Sequence, residues 1–387
     1  MSKSSLKRLL VAAVSLAVIA PSMAPAQAAE EIKIGVITST SGPLASYGVA
    51  YNEGLEWGLK YYTGGKMAIN GKKLVVTSKD DGADPASATA SFKEMVGNGT
   101  KVIVGTASSG VALTLAPLAA QNKVLYISGP AKNDLVTSAA NKYVFRSGNS
   151  STQDLAPLAG IKPISGKKVV LFVEDNAFGA GNIAAARALM TSKGALFEEI
   201  KVPTSTSDFT PFAKKAADAK GTYIFIAWSN ALTSGAMLTA LKVQGAFAKQ
   251  RPITGLAGVA SYNIYGTLFE GSNAILTSSY FAGAAKTGAA SDLATWYAAN
   301  KKTQDLFTST GADAAKMIVM ALTKNPSQNV DTMIKNLEGK SWVGVKGLMT
   351  IDPNTHLLIQ PMFLISLNKV GSGYSPTLLK TIAGVGK

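Results

Sequence analysis

Residues 101–130 read KVIVGTASSGVALTLAPLAAQNKVLYISGP. The apolar run at 102–104 is typical of a strand that is buried on both faces of a sheet. A helical pattern follows over 110–121, and a second apolar strand is predicted over 124–128. Two parallel strands need a crossover connection, usually a helix, so this order predicts one unit of a parallel sheet.

The same alternation of strands and helices continues on both sides of this stretch. Further strands are predicted over 32–38, 73–78, 168–173, 199–202, 223–227 and 253–255, and further helices over 49–62, 84–95, 181–192, 209–219 and 231–244. The alternation pauses between 143 and 163 and loosens after 274. We therefore predict an α/β fold with two Rossmann-like lobes, each built on a parallel sheet.

The two lobes are predicted to be joined by about three crossover segments, so each lobe is discontinuous in sequence. The crossovers are placed near 147–152, 277–283 and 347–352. The predicted divisions are a signal peptide at 1–28, an N-terminal lobe of 29–149 plus 281–349, and a C-terminal lobe of 150–280 plus 350–387. Several short connections predict a hinge with a ligand cleft between the lobes.

The composition excludes several kinds of chemistry. The chain of 387 residues has no cysteine and a single histidine, His356, which is expected in a surface turn. The absence of cysteine removes disulfides, thiol nucleophiles and cysteine-ligated metals, and also a lipid anchor on an N-terminal cysteine. One histidine nearly excludes Ser-His-Asp catalysis and polyhistidine metal sites. We expect no cofactor, no metal and no catalytic residues.

The net charge of +15 does not indicate a nucleic-acid partner. Lys3, Lys7 and Arg8 of the leader supply three of these charges, which leaves +12 for the rest of the chain. The remaining lysines are scattered, and no run of them alternates with aromatic residues. This distribution is typical of a solvated basic surface.

The N-terminus predicts export. A basic start is followed by a twelve-residue apolar run at 9–20, by Pro21 and Pro25, and by Ala26-Gln27-Ala28, which matches a signal-peptidase site. Twelve residues are too few to span a bilayer, which takes about 20. The mature chain is expected to begin near Ala29 and, without a lipid anchor, to reside in the periplasm.

Three glycine-rich or acidic motifs have simple structural interpretations. Gly179-x-Gly181-x-x-Ala184 resembles a dinucleotide fingerprint, but five residues separate it from its strand, so a glycine-rich helix start is favoured. The segment 105–112 has phosphate-loop spacing without the required lysine. Asp80, Asp81 and Asp84 are interpreted as strand-end and cap carboxylates rather than as a metal cluster.

Hydroxyl and aromatic side chains at predicted strand ends indicate a binding site. Ser108 and Ser109 lie between a strand and a helix, where hydroxyls and free backbone N–H groups can receive a carboxylate. A plain N-cap explains this pair equally well. Tyr47, Phe178 and Trp228 each lie near a strand end, and together they suggest an aromatic lining.

An ordered set of motifs supports a family resemblance. The set comprises Ile32-Lys33-Ile34-Gly35, Ser41-Gly42-Pro43, Tyr47-Gly48, Gly64-Gly65, Asn70-Gly71-Lys72-Lys73-Leu74, Asp80-Asp81-x-x-Asp84-Pro85, Val102-Ile103-Val104-Gly105, Ser108-Ser109, Tyr143-Val144-Phe145-Arg146 and Phe178-Gly179-x-Gly181. This series resembles the leucine/isoleucine/valine-binding protein family, the type I periplasmic solute-binding proteins of ABC importers. It covers nearly all of the mature chain and is strongest over the first 150 residues.

The resemblance implies capture of a small ligand rather than catalysis. It implies two lobes that close over a small carboxylate, a membrane permease as partner, and a monomer. The ligand carboxylate is expected at Ser108-Ser109, with help from Lys132 or Asn133. The site residues so implied are Tyr47, Ser108, Ser109, Pro130, Ala131, Lys132, Asn133, Phe178, Trp228, Ser229 and Ala257.

The ligand class is predicted from two departures from the family pattern. Ala257 stands where family members have an acid for the ligand ammonium, and Lys132 adds a cation. A deaminated or aromatic acid is therefore expected to bind before a branched-chain or other amino acid. Glu174 or Asp175 could substitute for the missing acid, which keeps amino acids as candidates.

Two other functional classes are weighed against this interpretation. One is a ligand-sensing receptor or regulator on the same fold, which the leader argues against. The other is an exported hydrolase, for which a Ser165–Lys168 pair is the main candidate.

Overall fold

The computed structural model describes residues 30–137, 141–157 and 164–386, so the signal peptide predicted at 1–28 lies outside the described residues. The first of two sheets has six strands in the order β2-β3-β1-β4-β5-β6. These strands are β1 (Glu31–Thr38), β2 (Ala68–Ile69), β3 (Lys72–Asp80), β4 (Val102–Gly105), β5 (Leu125–Ser128) and β6 (Val144–Arg146). All pairings are parallel except that of the short β2 with β3.

Three helices connect the strands of the first sheet: α1 (Ala45–Tyr62), α2 (Pro85–Gly97) and α3 (Ser109–Asn122). Strands β4 and β5 are fully buried, as expected for central parallel strands covered on both faces. The unit from β4 through α3 to β5 is the one predicted from residues 101–130.

The second sheet has nine strands, and the strand direction reverses toward one edge of the sheet. Its strands are β7 (Lys168–Glu174), β8 (Leu196–Val202), β9 (Tyr223–Ala227), β10 (Arg251–Thr254), β11 (Ile275–Ser278), β12 (Ser341–Gly344), β13 (Gly347–Ile351), β14 (Leu358–Val370) and β15 (Gly373–Val385). Strands β7 to β11 are parallel, whereas β14 pairs antiparallel with β11, β13 and β15. The sequence analysis assigned no strands to this antiparallel part.

The remaining helices complete the α/β layers around the sheets. They are α4 (Ser151–Leu155), α5 (Ala177–Met190), α6 (Thr210–Asp218), α7 (Ser234–Val243), α8 (Ala246–Lys249), α9 (Tyr262–Leu268), α10 (Gly288–Ala299), α11 (Thr308–Leu322) and α12 (Val330–Leu337). The α/β architecture with two mainly parallel sheets is confirmed, and every strand and helix predicted up to residue 255 is present with small shifts at its ends.

The chain passes between the two halves of the molecule more than once. It leaves the first sheet after β6, returns from β11 to α11, which packs against α1, and enters the second sheet again at β12. Segment 281–349 thus contributes α11 beside the first sheet and β12 beside the second. The exact lobe boundaries stay a prediction.

Glycines allow α11 to lie directly against α1. A Cβ on Gly54 would come 1.9 Å from the carbonyl oxygen of Thr308, and one on Gly311 would come 2.0 Å from that of Tyr51. Neither contact can be relieved by a side-chain rotation, because both obstacles are backbone atoms. This close approach places Phe307, at the start of α11, beside Tyr47 of α1, with ring centroids 5.2 Å apart.

We predict that Gly54→Ala lowers the free energy of unfolding by about 1–3 kcal/mol, because the methyl group forces the two helices apart. The matched control is Gly97→Ala in α2, where a Cβ meets no atom within 4 Å. That change should leave stability unaltered or raise it by about 0.4–1 kcal/mol through the unfolded chain. Urea unfolding of both variants checks this, and equal effects would contradict it.

Candidate functional site

A cavity of about 350 Å³ lies at the carboxyl ends of strands from both sheets. This is where open parallel sheets usually bind ligands. Its lining residues are Pro43, Leu44, Tyr47, Ala83, Pro85, Ala107, Ser108, Ser109, Gly110, Pro130, Lys132, Glu174, Asn176, Ala177, Phe178, Thr204, Ser229, Asn230, Leu256 and Phe307. Of the predicted site residues, the cavity brings together Tyr47, Ser108, Ser109, Pro130, Lys132, Phe178 and Ser229.

The first turn of α3 opens into this cavity, and its two serines have different roles. Ser108 is the N-cap, with its Oγ accepting a hydrogen bond from the Val111 N–H at 3.4 Å. The Ser109 Oγ accepts from the backbone N–H groups of Lys132 and Asn133, each at 3.3 Å. The Ser109 hydroxyl therefore keeps its own hydrogen for another acceptor. The capping interpretation holds for Ser108, whereas the Ser109 hydroxyl can still donate one hydrogen bond.

Lys132 reaches the cavity wall as one half of a buried ion pair. Its Nζ lies 2.6 Å from Oδ2 of Asp154, and the two side chains are only 2% and 5% exposed. The same Nζ lies 5.6 Å from the centre of the Phe307 ring. Burial raises the pKa of Asp154, while the charge and hydrogen bond of Lys132 oppose that rise. The cation predicted at Lys132 is thus neutralised by a carboxylate of the protein itself.

Ala131 and Asn133, which flank Lys132, fix the loop rather than line the cavity. Arg146 donates from Nη1 to the Ala131 carbonyl and from Nη2 to that of Asn133, both at 2.6 Å. The Asn133 side chain donates to the Ala177 carbonyl at 2.6 Å. The buried Arg146 guanidinium loses hydration, which lowers its pKa to about 10.

Glu174 brings a second charge to the cavity and is held entirely by neutral donors. Its carboxylate accepts from the Ser229 N–H at 2.8 Å, the Ser229 hydroxyl, the Asn230 N–H at 3.0 Å and the Asn176 side-chain amide at 3.2 Å. The residue is 2% exposed. Among the described residues, no Lys, Arg or His nitrogen lies within 4.0 Å of it. Asp175, the other proposed substitute acid, is exposed and lies outside the lining.

Aromatic rings form the apolar part of the wall. Tyr47 and Phe178 line the cavity, and Phe307 joins them from the start of α11. Tyr47 and Phe307 meet edge to face at 82°. Burial raises the pKa of the Tyr47 hydroxyl well above its usual range, so this side chain is neutral.

Trp228 and Ala257 lie outside the cavity, in the core of the second sheet. The Trp228 ring packs edge to face on Phe209, with centroids 5.4 Å apart, and its Nε1 donates to the Thr233 hydroxyl at 3.1 Å. Ala257 is fully buried in the same apolar cluster, whereas its neighbour Leu256 lines the cavity. In both cases the neighbouring residue, Ser229 or Leu256, faces the cavity instead. The ligand contact predicted for Ala257 therefore has no place in this geometry.

The glycine and aspartate motifs have the structural roles predicted for them. A Cβ on Gly179 would come 1.9 Å from the Glu174 carbonyl oxygen, so this glycine lets α5 begin close to β7. Asp84 caps α2 by accepting from the Ser87 N–H at 2.8 Å, and Asp81 accepts from the Ser39 hydroxyl at 2.6 Å. Over the part of the chain that the structure describes, no cluster of three acidic or histidine side chains could hold a metal ion.

The expectation that His356 lies at the surface is wrong. Its ring is 5% exposed and stacks on Phe145, with centroids 3.8 Å apart. Its Nδ1 lies 3.1 Å from the Val144 carbonyl oxygen and its Nε2 lies 3.3 Å from Oε1 of Glu338. The turn itself was predicted, but its packing against β6 depends on a segment more than 200 residues away in sequence.

The Ser165–Lys168 pair does not form a nucleophile and base. Lys168 donates to Oε2 of Glu198 at 3.2 Å and to the Ala219 carbonyl at 2.9 Å, while Ser165 is exposed in the preceding turn. Both hydrogen bonds engage the ammonium away from the serine.

The chain belongs to a family of periplasmic binding proteins, whose model matches residues 31–372. The resemblance to the leucine/isoleucine/valine-binding proteins is thereby confirmed. The chain is 28% identical over 201 residues to Leu/Ile/Val-binding protein homolog 3 of Brucella melitensis, and this match covers 50% of this chain and 54% of that protein. It is 24% identical to homolog 6 of Brucella abortus over 90% of this chain and 91% of that one.

Solved structures show the same fold, that of type I periplasmic binding proteins. An ABC-type branched-chain amino acid transporter protein from Rhodopseudomonas palustris has a TM-score of 0.76 at 28% identity, over 92% of this chain and 97% of that one. A solute-binding protein of another R. palustris strain, in complex with 3,4-dihydroxybenzoic acid, has a TM-score of 0.74 at 24% identity, over 92% and 98%. No helix in the described ranges is long and apolar enough to cross a membrane.

We predict that Trp228→Phe leaves ligand affinity within twofold of wild type while it destabilises the second sheet by about 1–3 kcal/mol. The loss comes from the unfilled space beside Phe209 and from the Thr233 hydroxyl left without its donor. Phe178→Leu, on the cavity wall, should instead weaken binding by more than fivefold. Calorimetry with any carboxylic acid that stabilises the wild type, together with thermal unfolding, measures both. A larger affinity loss in Trp228→Phe would show that its ring reaches the ligand.

Proposed function

We propose that this protein is the extracytoplasmic solute-binding component of an ABC importer and captures a small carboxylate in the cavity between its sheets. One observation carries the proposal: the first turn of α3, with the free hydrogen of Ser109, opens into a cavity lined by three aromatic rings. A membrane permease is the proposed partner, and the protein acts as a periplasmic monomer after removal of its leader.

The carboxylate end of the ligand is assigned to α3. The first N–H groups of a 14-residue helix have no partner within the helix, and the helix dipole adds positive potential there. Ser108 satisfies the Val111 N–H, so the remaining N–H groups and the Ser109 hydroxyl face the cavity together. Hydrogen bonds to a charged acceptor contribute about 1.5–3 kcal/mol each.

The opposite wall favours a ligand that also carries an ammonium group. Glu174 has no cationic partner among the described residues, whereas Lys132 is already paired with Asp154. The argument for a deaminated acid required Ala257 to lie at the ligand ammonium and Lys132 to be an unpaired cation. Ala257 is instead buried outside the cavity, and Lys132 is paired with Asp154. An α-amino acid therefore fits the charges of the cavity best. An aromatic acid is the second candidate, because Tyr47, Phe178 and Phe307 offer ring contacts.

Closure over the ligand is supported by two hydrogen bonds that join the halves beside the cavity. The Asn133 side chain donates to the Ala177 carbonyl at 2.6 Å, and the Ala231 N–H donates to the Pro43 carbonyl at 3.2 Å. Both lie next to lining residues. A hinge at the crossover segments would break and remake these bonds as ligand enters and leaves.

We predict that leucine binds at least tenfold more tightly than its 2-oxo analogue, because only leucine supplies an ammonium for Glu174. Thermal-shift screening of amino acids, 2-oxo acids and benzoates, followed by calorimetry on this matched pair, measures the preference. A ligand at 100 times its Kd should stabilise the protein by about 2.7 kcal/mol. Tighter binding of the 2-oxo acid would contradict the amino-acid assignment, and conversion of a bound acid to product would contradict a pure binding role.

We predict that Ser109→Ala weakens binding by about 1.5–3 kcal/mol and also lowers stability, because it leaves the buried N–H groups of Lys132 and Asn133 without their acceptor. The matched control is Ser108→Ala, which removes the N-cap and should cost about 0.5–2 kcal/mol of stability while affinity falls less. Calorimetry and urea unfolding of both variants separate the two effects. The assignment fails if Ser109→Ala binds as tightly as the wild type.

A further inference from the structure

Asp154 is buried behind the cavity wall and reaches the cavity only through Lys132. It lies in the short helix α4, which follows the first crossover, and is absent from the lining. Its Oδ2 takes the Lys132 ammonium, and its Oδ1 accepts from the Asn149 side-chain amide at 2.5 Å. Both carboxylate oxygens are therefore engaged by the protein, and neither faces a ligand directly.

Contacts from α4 and β10 fix the positions of Lys132 and Asp154 relative to each other. The Ser151 N–H, at the start of α4, donates to the Lys132 carbonyl at 2.7 Å, so the same helix fixes the backbone of Lys132 and carries its counter-ion. At the end of β10, a Cβ on Gly255 would come 3.6 Å from the Asp154 carboxyl carbon and 2.8 Å from the Thr277 hydroxyl. A larger residue at position 255 would crowd the space that Asp154 occupies.

The charges at or directly behind the described cavity wall are those of Lys132, Asp154 and Glu174. With the pair intact, Lys132 and Asp154 cancel each other, and Glu174 is the charge without a counter-ion. One ligand carboxylate is received by the first turn of α3. Among the described residues that line the cavity, a second ligand carboxylate would find no unpaired cation, and it would lie in the same small cavity as Glu174.

We propose that Asp154, as the counter-ion of Lys132, determines the ligand specificity of this site. Because the Lys132 ammonium is already paired with Asp154, it cannot pair with the ligand, and ligands with a second negative charge are excluded. The inference rests on the proposed function and adds a rule of selection to it. Without the Asp154 charge, Lys132 would be a buried cation in need of a partner, and a second carboxylate on the ligand would supply one.

The test compares acids that differ only in a second charge. Glutamate and glutamine form one pair, and terephthalate and its monoamide form the other, which covers both candidate ligand classes. Their affinities are measured at pH 7.5 by competition against the tightest acid of the thermal-shift screen. The wild type should bind glutamine and the monoamide, which carry one carboxylate each, at least tenfold more tightly than glutamate and terephthalate. Asp154→Asn should reduce that preference at least tenfold.

The matched control is Asp134→Asn, which removes a carboxylate that accepts from the Thr152 N–H and hydroxyl and does not contact Lys132. It should keep the wild-type preference. The double variant Lys132→Gln with Asp154→Asn should also keep it, since no cation is set free. A purely structural role of the ion pair would weaken both members of each pair equally in Asp154→Asn, and that result would overturn the proposal.

If Asp154→Asn does not fold, the single variant Lys132→Gln provides a second test of the proposal. The proposal expects this variant to keep the wild-type preference for glutamine over glutamate, because it sets no cation free. Loss of that preference in Lys132→Gln would overturn the proposal. Failure of the proposed function would look different, because the wild-type protein would then respond to no carboxylate in the screen.

Discussion

The binding site depends on the way Arg146 holds one loop. This guanidinium, at the end of β6, is fully buried and donates to the carbonyls of Ala131 and Asn133. The loop so fixed turns its own N–H groups toward the Ser109 hydroxyl and presents the Lys132 side chain to Asp154. A buried guanidinium that lost these carbonyls would have no water to replace them, so the loop geometry is strongly enforced.

A second set of buried polar contacts joins the crossover segments to one another. The Gln360 side-chain amide on β14 donates to the Gly148 carbonyl at 3.0 Å, and its carbonyl oxygen accepts from Lys346. Gln153 donates to the carbonyls of Leu358 and Val385, both at 2.7 Å. These bonds tie the first crossover to the returning strand, beside buried apolar residues such as Leu155 and Leu358.

Local patterns in the sequence were enough to predict most of the fold, and they indicated the serines and two of the aromatic rings of the cavity. Pro130, Lys132 and Ser229 were candidates only through the family resemblance. Strand β4, helix α3 and strand β5 are each specified by their own residues, so their order and the position of Ser109 could be read directly. Phe307 could not be found in this way, because it reaches the cavity only through the packing of α11 on α1, about 250 residues apart in sequence. The assignments of Trp228 and Ala257 depended on which of two neighbouring residues turns toward the cavity, and a shift of one position reverses that direction.

The charge of the cavity is a further property that no local pattern specifies. In the sequence, Lys132 is a cation that a ligand could use. In the structure, its Nζ lies 2.6 Å from Oδ2 of Asp154, which is 22 residues later in the chain. Glu174 looks like a strand-end acid until its four neutral donors show how a carboxylate can stay buried without a cation. Which of two buried ions is paired within the protein decides which one is left for the ligand. On the proposed function, contacts behind the cavity wall would set the selectivity of the site, in addition to the residues that line it.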